Sequence, residues 1–150
     1  MLQHLGSVYS ELADHPAALA SFDRGLDEAT RRFGAESRAA AAVRLSRADC
    51  FSALGRTSEG IADLEAAATI YAAIGSPVES AGIVAQLCQG YVEAADLDRA
   101  RRACADGVRL GEAAYGRDAP QLARALLGRG IYEAAAGHDQ AAAVTLERAA

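Results

Sequence analysis

Lysine, asparagine and tryptophan do not occur in the 150 residues, so all fifteen cationic side chains are Arg. Without Lys there can be no phosphate loop ending in Gly-Lys. Fifteen cations against twenty anions leave a net charge of −5, which disfavours a sequence-independent grip on nucleic acid or on an anionic membrane. No apolar run reaches the ~18 residues that a spanning helix needs. The first residues, Met-Leu-Gln-His-Leu, have neither a basic region nor a signal-type apolar core, so a secreted or membrane-spanning chain is not expected. Proline is scarce, with three residues, and aromatics make up 5% of the chain. That scarcity argues against disorder and against an all-β fold, which draws on aromatic and β-branched residues. What the chain has instead is alanine, 38 residues of it, the best helix former.

Internal repeats decide the expected fold. Gly34, Gly75 and Gly116 are 41 residues apart both times. A small-residue column, Ala18, Gly60, Ala100 and Ala142, steps by 42, 40 and 42, and a bulkier column four residues on, Phe22, Leu64, Cys104 and Leu146, keeps those steps. Upstream lie Leu5-Gly6 with Tyr9, Arg47-Ala48 with Phe51, Leu87-Cys88 with Tyr91, and Leu127-Gly128 with Ile131, the last slipped within its loop. Apolar residues recur at three and four within each segment, a helical period. The spacing predicts helices at 1–13, 16–33, 37–54, 58–74, 77–94, 97–115, 119–136 and 139–150, paired into hairpins. Gly34, Gly75 and Gly116 are expected to close the second helices in a positive-φ conformation. The small columns let paired helices approach closely, Gly6 facing Ala18, Ala48 facing Gly60, Cys88 facing Ala100 and Gly128 facing Ala142, while the bulky column interdigitates.

The pattern Leu-Gly-x-x-Tyr on one helix and Ala-x-x-x-Phe on the next resembles the tetratricopeptide repeat (TPR). The resemblance extends over essentially the whole chain, with units at approximately 1–34, 35–75, 76–116 and 117–150. The second unit departs from it, with Arg47 where Leu is expected. A period near 41 instead of 34 adds about two helical turns per unit. That length, with the link Tyr115-Gly116-Arg117-Asp118-Ala119-Pro120, is similar to kinesin-light-chain repeats. Such repeats also occur in the sensor halves of bacterial transcriptional regulators and signalling ATPases. The resemblance implies an all-α, right-handed superhelical solenoid of antiparallel helix pairs, forming one repeat domain over 1–150.

In such a solenoid the first helices line a concave face that binds partners. The residues expected there are Gln3, Ser7, Ser10 and Glu11, then Ser46, Asp49 and Ser52, then Gln86, Gln89 and Glu93, and finally Arg129, Tyr132 and Glu133. This polar, mildly acidic set suits a basic or hydrogen-bonding peptide or partner domain. The same residue types also stand on ordinary solvated helix faces. Members of the family that capture the acidic tails of chaperones resemble one another in a clamp of Lys and Asn, and this chain contains neither.

The expected role is therefore a non-catalytic protein–protein interaction scaffold in the cytoplasm, with no cofactor, no metal, no direct nucleic-acid contact and no membrane contact. The alternative is the ligand- or peptide-sensing regulatory region of a bacterial regulator or signalling ATPase. His4, His15 and His138 are the only histidines and are dispersed, which argues against a metal site or a triad. No Gly-x-Ser-x-Gly or His-Glu-x-x-His motif occurs. Gly128-Arg129-Gly130 is too short for a dinucleotide fingerprint and suits close helix packing. Three scattered cysteines, Cys50, Cys88 and Cys104, form neither a disulfide framework nor a zinc spacing. Cys88 and Cys104 occupy facing columns of one hairpin, and buried free thiols are expected there in preference to a redox pair. The array starts and stops inside hairpins, which points to a piece of a longer protein or to self-association through uncapped terminal hairpins. A run of Arg31, Arg32, Arg38, Arg44 and Arg47 offers an acidic partner domain a second docking option.

Overall fold

The computed structural model describes residues 15–150, and no strand occurs among them. Seven helices follow one another: α1 His15–Phe33, α2 Arg38–Ala53, α3 Thr57–Ala73, α4 Pro77–Glu93, α5 Leu97–Tyr115, α6 Ala123–Ala135 and α7 Asp139–Ala149. The expected helix over 1–13 lies outside the described residues. The other expected helices are all present, with one difference in the link before α6. There Pro120–Leu122 form a single 3-10 turn, closed by Leu122 N–H donating to the Ala119 carbonyl at 2.9 Å, and the α-helix begins only at Ala123.

The chain divides into two compact bodies, Met1–Ile74 and Gly75–Ala150. In the first, α1 packs on α2 and α2 on α3. Its core gathers Ala18, Leu19 and Phe22 from α1 with Val43, Cys50 and Phe51 from α2, residues at the three- and four-residue spacings that place them on one stripe of each helix. In the second body, the hairpins α4–α5 and α6–α7 stack through α4–α6 and α5–α6 contacts. Ala85, Val108, Leu122, Ala125 and Leu126 form its buried centre.

Local chemistry sets the helix starts. The Ser37 hydroxyl accepts from Ala40 N–H at 3.2 Å and donates to the Gly34 carbonyl at 2.7 Å, an N-cap that satisfies one orphan donor of α2. Asp96 does the same for α5 through Arg99 N–H at 3.0 Å. Pro77 opens α4, where its missing N–H costs nothing. Gly34, Gly75 and Gly116 take positive φ, as expected, and a second column, Gly55, Ala95 and Gly137, ends the first helices in the same way.

That second column fixes the register of the fourth unit, and the structure corrects it by two residues. Arg56 N–H donates to the Phe51 carbonyl at 2.8 Å, Asp96 N–H to Tyr91 at 2.9 Å, and His138 N–H to Glu133 at 2.8 Å. Glu133, not Ile131, therefore stands where Phe51 and Tyr91 stand, and Gly130, not Gly128, is the counterpart of Ala48 and Cys88. A Cβ on Gly130 would lie 3.6 Å from the Ala142 carbonyl and 2.6 Å from the Leu146 side chain, so Gly130 is the small partner of Ala142. Gly128 faces the preceding hairpin, and a Cβ there would lie 3.0 Å from Cys88 Sγ. All four members of the small column, Ala18, Gly60, Ala100 and Ala142, are buried.

Cys88 and Cys104 form a disulfide between α4 and α5. This overturns the expectation of two free thiols. The facing columns bring their Cα atoms within 4.7 Å, inside the range that a disulfide bridges. In the neighbouring hairpins the same two places hold Ala48 with Leu64 and Gly130 with Leu146. Cys50 is free and buried.

Candidate binding surface

Polar residues of the first helices carry the expected site. Gln3, Ser7, Ser10 and Glu11 lie outside the described residues. On α2, Asp49 and Ser52 are exposed and Ser46 is half-buried, its hydroxyl donating to the Ala42 carbonyl at 3.4 Å. On α4, Gln89 and Glu93 are exposed, with Gln89 Nε2 donating to Glu93 Oε1 at 3.0 Å, and Gln86 is half-buried.

The third set behaves differently, and the corrected register explains why. Asp49 and Gln89 correspond to Ile131, which is exposed, whereas Arg129, Tyr132 and Glu133 sit one or two positions away from that face. Arg129 and Tyr132 are half-buried and Glu133 is buried. The Glu133 carboxylate fills the place of an aromatic ring. It accepts from Arg129 Nε at 2.8 Å and from Thr145 Oγ1 at 2.6 Å, so both of its oxygens are satisfied, as burial requires.

Three successive repeats solve the same packing position in three ways. In the second, Arg47 reaches Asp63 with two parallel bonds, Nε to Oδ2 at 2.7 Å and Nη2 to Oδ1 at 2.8 Å, and Asp23 with Nη1 at 2.6 Å. Those acids, Asp63 foremost, hold the guanidinium pKa well above its usual value against the opposing effect of burial. The Arg found where Leu was expected is thus the centre of an ion-pair network. In the third repeat the corresponding residues are Leu87, Ala103 and Tyr91, an apolar solution in which Arg99 lies 4.7 Å over the Tyr91 ring. In the fourth they are Arg129, Thr145 and Glu133.

Beside this last cluster the second body carries a cleft of about 230 Å³, lined by Arg101, Cys104 and Ala105 of α5, by Arg129, Tyr132 and Glu133 of α6, and by His138. Arg129, Tyr132 and Glu133 are thereby brought together around a pocket. Sequence spacing at the corrected 40- and 42-residue steps would have placed Glu133 in the aromatic column and pointed to it.

The basic run of the first body is engaged internally. Arg31 Nε donates to the Asp27 carbonyl at 3.3 Å, Arg32 pairs with Glu28 at 3.2 Å, Arg44 reaches the Ala35 carbonyl at 3.0 Å, and Arg38 lies 5.9 Å over the Tyr71 ring. No cluster of three or more metal-ligating side chains occurs among the described residues. No helix among them is long and apolar enough to cross a membrane.

Helix hairpins of this length, stacked on small columns, match solved repeat proteins. BtubC (BKLC) from P. vanneervenii superposes with a TM-score of 0.88 at 19% identity over 99% of this chain. The nearly identical TPR-like repeats of a Podosopora anserina chain assigned as a kinesin light chain give a TM-score of 0.84 at 16% identity, and a single-residue variant of that chain gives 0.85 at 16%, each over 99% of this chain. The fold is TPR-like. This TPR-like chain spans 60% of the length of BtubC and 71% of each of the other two. No family model matches its sequence, and no curated protein does. The TPR-like columns are therefore carried by packing geometry, with little of any one relative's sequence kept.

Proposed function

We propose that the chain is a non-catalytic protein–protein interaction scaffold, whose first helices bind a basic or hydrogen-bonding peptide or partner domain. The observation that carries this reading is the exposure of Asp49 and Ser52 on α2 and of Gln89 and Glu93 on α4, with Asp49 and Gln89 at the same repeat position on helices of a TPR-like fold. Partner recognition there is by charge sign and hydrogen bonding, which set encounter rate and specificity more than raw affinity. Short random peptides displayed on phage test it: binders enriched in Arg and Lys are expected, and Asp49→Lys with Glu93→Lys is expected to weaken them at least ~tenfold. Selected peptides that bind the double variant equally well would remove the reading. Placement in the cytoplasm belongs to the same proposal and is tested by fractionation with thiols blocked at lysis.

The cleft of about 230 Å³ favours a second reading, in which the chain is the ligand-sensing regulatory region of a bacterial regulator or signalling ATPase. A helix-turn-helix or nucleotide-binding segment in the same reading frame would support it. Self-association is proposed for the last hairpin, because Leu146 is 37% exposed where its counterparts Leu64 and Cys104 are buried, and Leu127 is 50% exposed. Sedimentation as a function of concentration, repeated with Leu127→Ser, tests that surface.

A further inference from the structure

The cleft between α5 and α6 gathers side chains that hairpin packing does not require. On α5, Arg101 and Ala105 stand where α3 has Ile61 and Glu65 and where α7 has Ala143 and Glu147, so a cation is gained and an acid is missing. On α6, Tyr132 takes the place of the small residues Cys50 and Gly90. In the turn that follows, His138 stands where Arg56 and Asp96 each pair with the residue three positions on, Glu59 and Arg99. For His138 that residue is Ala141. Among the described residues, no hydrogen bond or ion pair engages the side chains of Arg101, Tyr132 or His138, and Arg129 bonds Glu133 through Nε alone, with no acceptor for its two terminal nitrogens. Glu133 is the one carboxylate in the wall, and Arg129 and Thr145 already satisfy it. Asp98 and Asp139 lie close by in sequence, yet neither lines the cleft nor pairs with Arg101 or His138. In a chain of net charge −5, two guanidinium groups and an imidazole thus face a single spent acid.

We propose that this cleft binds a small organic carboxylate built on one aromatic ring, an inference that rests on the ligand-sensing reading of the cleft and names its ligand class. The planar guanidinium groups of Arg101 and Arg129 offer parallel N–H donors that match the two oxygens of a carboxylate. Because Arg129 would use its terminal nitrogens, its bond from Nε to Glu133 is kept. His138 adds a further donor at the turn. The rest of the lining is apolar: Ala105, the Tyr132 ring and the edge of the buried Cys104. A ring stacked on Tyr132 takes that surface out of water, whereas an inorganic anion would leave it uncovered. Size sets the upper limit. At about 230 Å³ the cleft is smaller than the ~300–1,000 Å³ of sites for drug-sized ligands, which restricts the body of the ligand to a single ring.

The test titrates the full chain with benzoate, benzamide, benzylamine and inorganic phosphate at constant ionic strength, followed by backbone amide NMR. Benzoate is expected to shift amides around Arg101, Tyr132 and His138 and to bind about tenfold more tightly than each of the other three. Arg101→Gln is expected to remove most of that advantage. Arg109→Gln, on the same helix but outside the cleft and paired with Asp106, is expected to keep it. Both arginines are exposed, and the ligand-free amide spectra show whether each variant keeps its fold. Benzamide or phosphate binding at the cleft as tightly as benzoate would overturn the proposal, as would an undiminished benzoate advantage in folded Arg101→Gln or no shift at the cleft with any probe. The ligand-sensing reading fails separately, on the lack of a helix-turn-helix or nucleotide-binding segment in the same reading frame.

Discussion

A single side chain, Glu133, carries much of the local logic of the fourth repeat. Its carboxylate sits 6% exposed where Phe51 and Tyr91 sit in the earlier repeats, and it is tolerated because Arg129 and Thr145 satisfy both oxygens. Removing Arg129 strips the buried carboxylate of its charged partner and leaves it Thr145 alone, a cost of about 1–3 kcal/mol. Arg129→Leu is expected to lower stability by about that amount in urea unfolding, and Glu133→Tyr by less, because the guanidinium it releases is 43% exposed and turns to water. The double variant restores the Leu87–Tyr91 solution, and its cost is expected to be smaller than that of Arg129→Leu alone. Arg47 was visible as an oddity in the sequence, but Asp23 and Asp63 could be assigned to it only once the hairpins were closed. Glu133 was expected on the binding face, and its place in the aromatic column escaped the sequence reading because Gly128 and Gly130 fit a small column equally well; the bond from His138 N–H to the Glu133 carbonyl and the approach of Gly130 to Leu146 distinguish them. Ala95 presents the opposite case. It is the one described non-glycine residue at positive φ, 57°, where an L side chain costs about 1–2 kcal/mol. Gly55 and Gly137 fill the matching places. Ala95→Gly relieves that strain at a smaller cost in unfolded-chain entropy, and a rise in melting temperature of about 1–3 °C is expected.

At the scale of the helix, the repeat spacing located every described α-helix, though not the 3-10 turn Pro120–Leu122, because apolar periodicity and capping residues act locally. What spacing could not supply was the state of Cys88 and Cys104. Facing columns put two sulfurs within reach, yet burial of small hydrophobes and formation of a bond make the same sequence pattern. The close approach of α4 and α5 at Ala100, which is fully buried, gives a direct test of the register. Ala100→Trp is expected to destabilise the third hairpin by about 3 kcal/mol or more through overpacking, and unchanged melting would mean that the columns are misplaced. Two ends of α5 are tuned by charge. Asp96 has a lowered pKa, chiefly from the Arg99 backbone N–H and then its side chain, and Glu112 has a lowered pKa, chiefly from its hydrogen bond with Arg148 of α7. A carboxylate depressed in the folded state contributes stability that is complete above its ordinary value and is lost as pH falls through the folded value. Stability of the second body is therefore expected to decline below about pH 4.5. Arg148→Gln should flatten that decline when melting is followed from neutral to acid pH.

For the whole molecule, an acidic chain without Lys or Asn has built its surface from Ser, Gln, Asp, Glu and Arg, and many of its arginines are spent inside the protein. Arg47 and Arg148 tie helices together, Arg129 bonds Glu133 within α6, and Arg56 and Arg99 lie over aromatic rings. The exposed polar residues of the described first helices are Asp49, Ser52, Gln89 and Glu93, with Arg38 and Arg124 near the helix starts. The TPR-like architecture was legible from recurrence because four repeats report the same columns, even though no one repeat keeps the whole motif. Function was legible only as a class, since a binding face is polar surface until a partner covers it. The most direct measurement is backbone amide NMR of the chain titrated with an Arg-rich peptide taken from the phage selection. Shifts concentrated around Asp49 and Ser52 on α2 and around Gln89 and Glu93 on α4 are predicted. Shifts confined to α3, α5 and α7, with the first helices unmoved at saturation, would contradict the account.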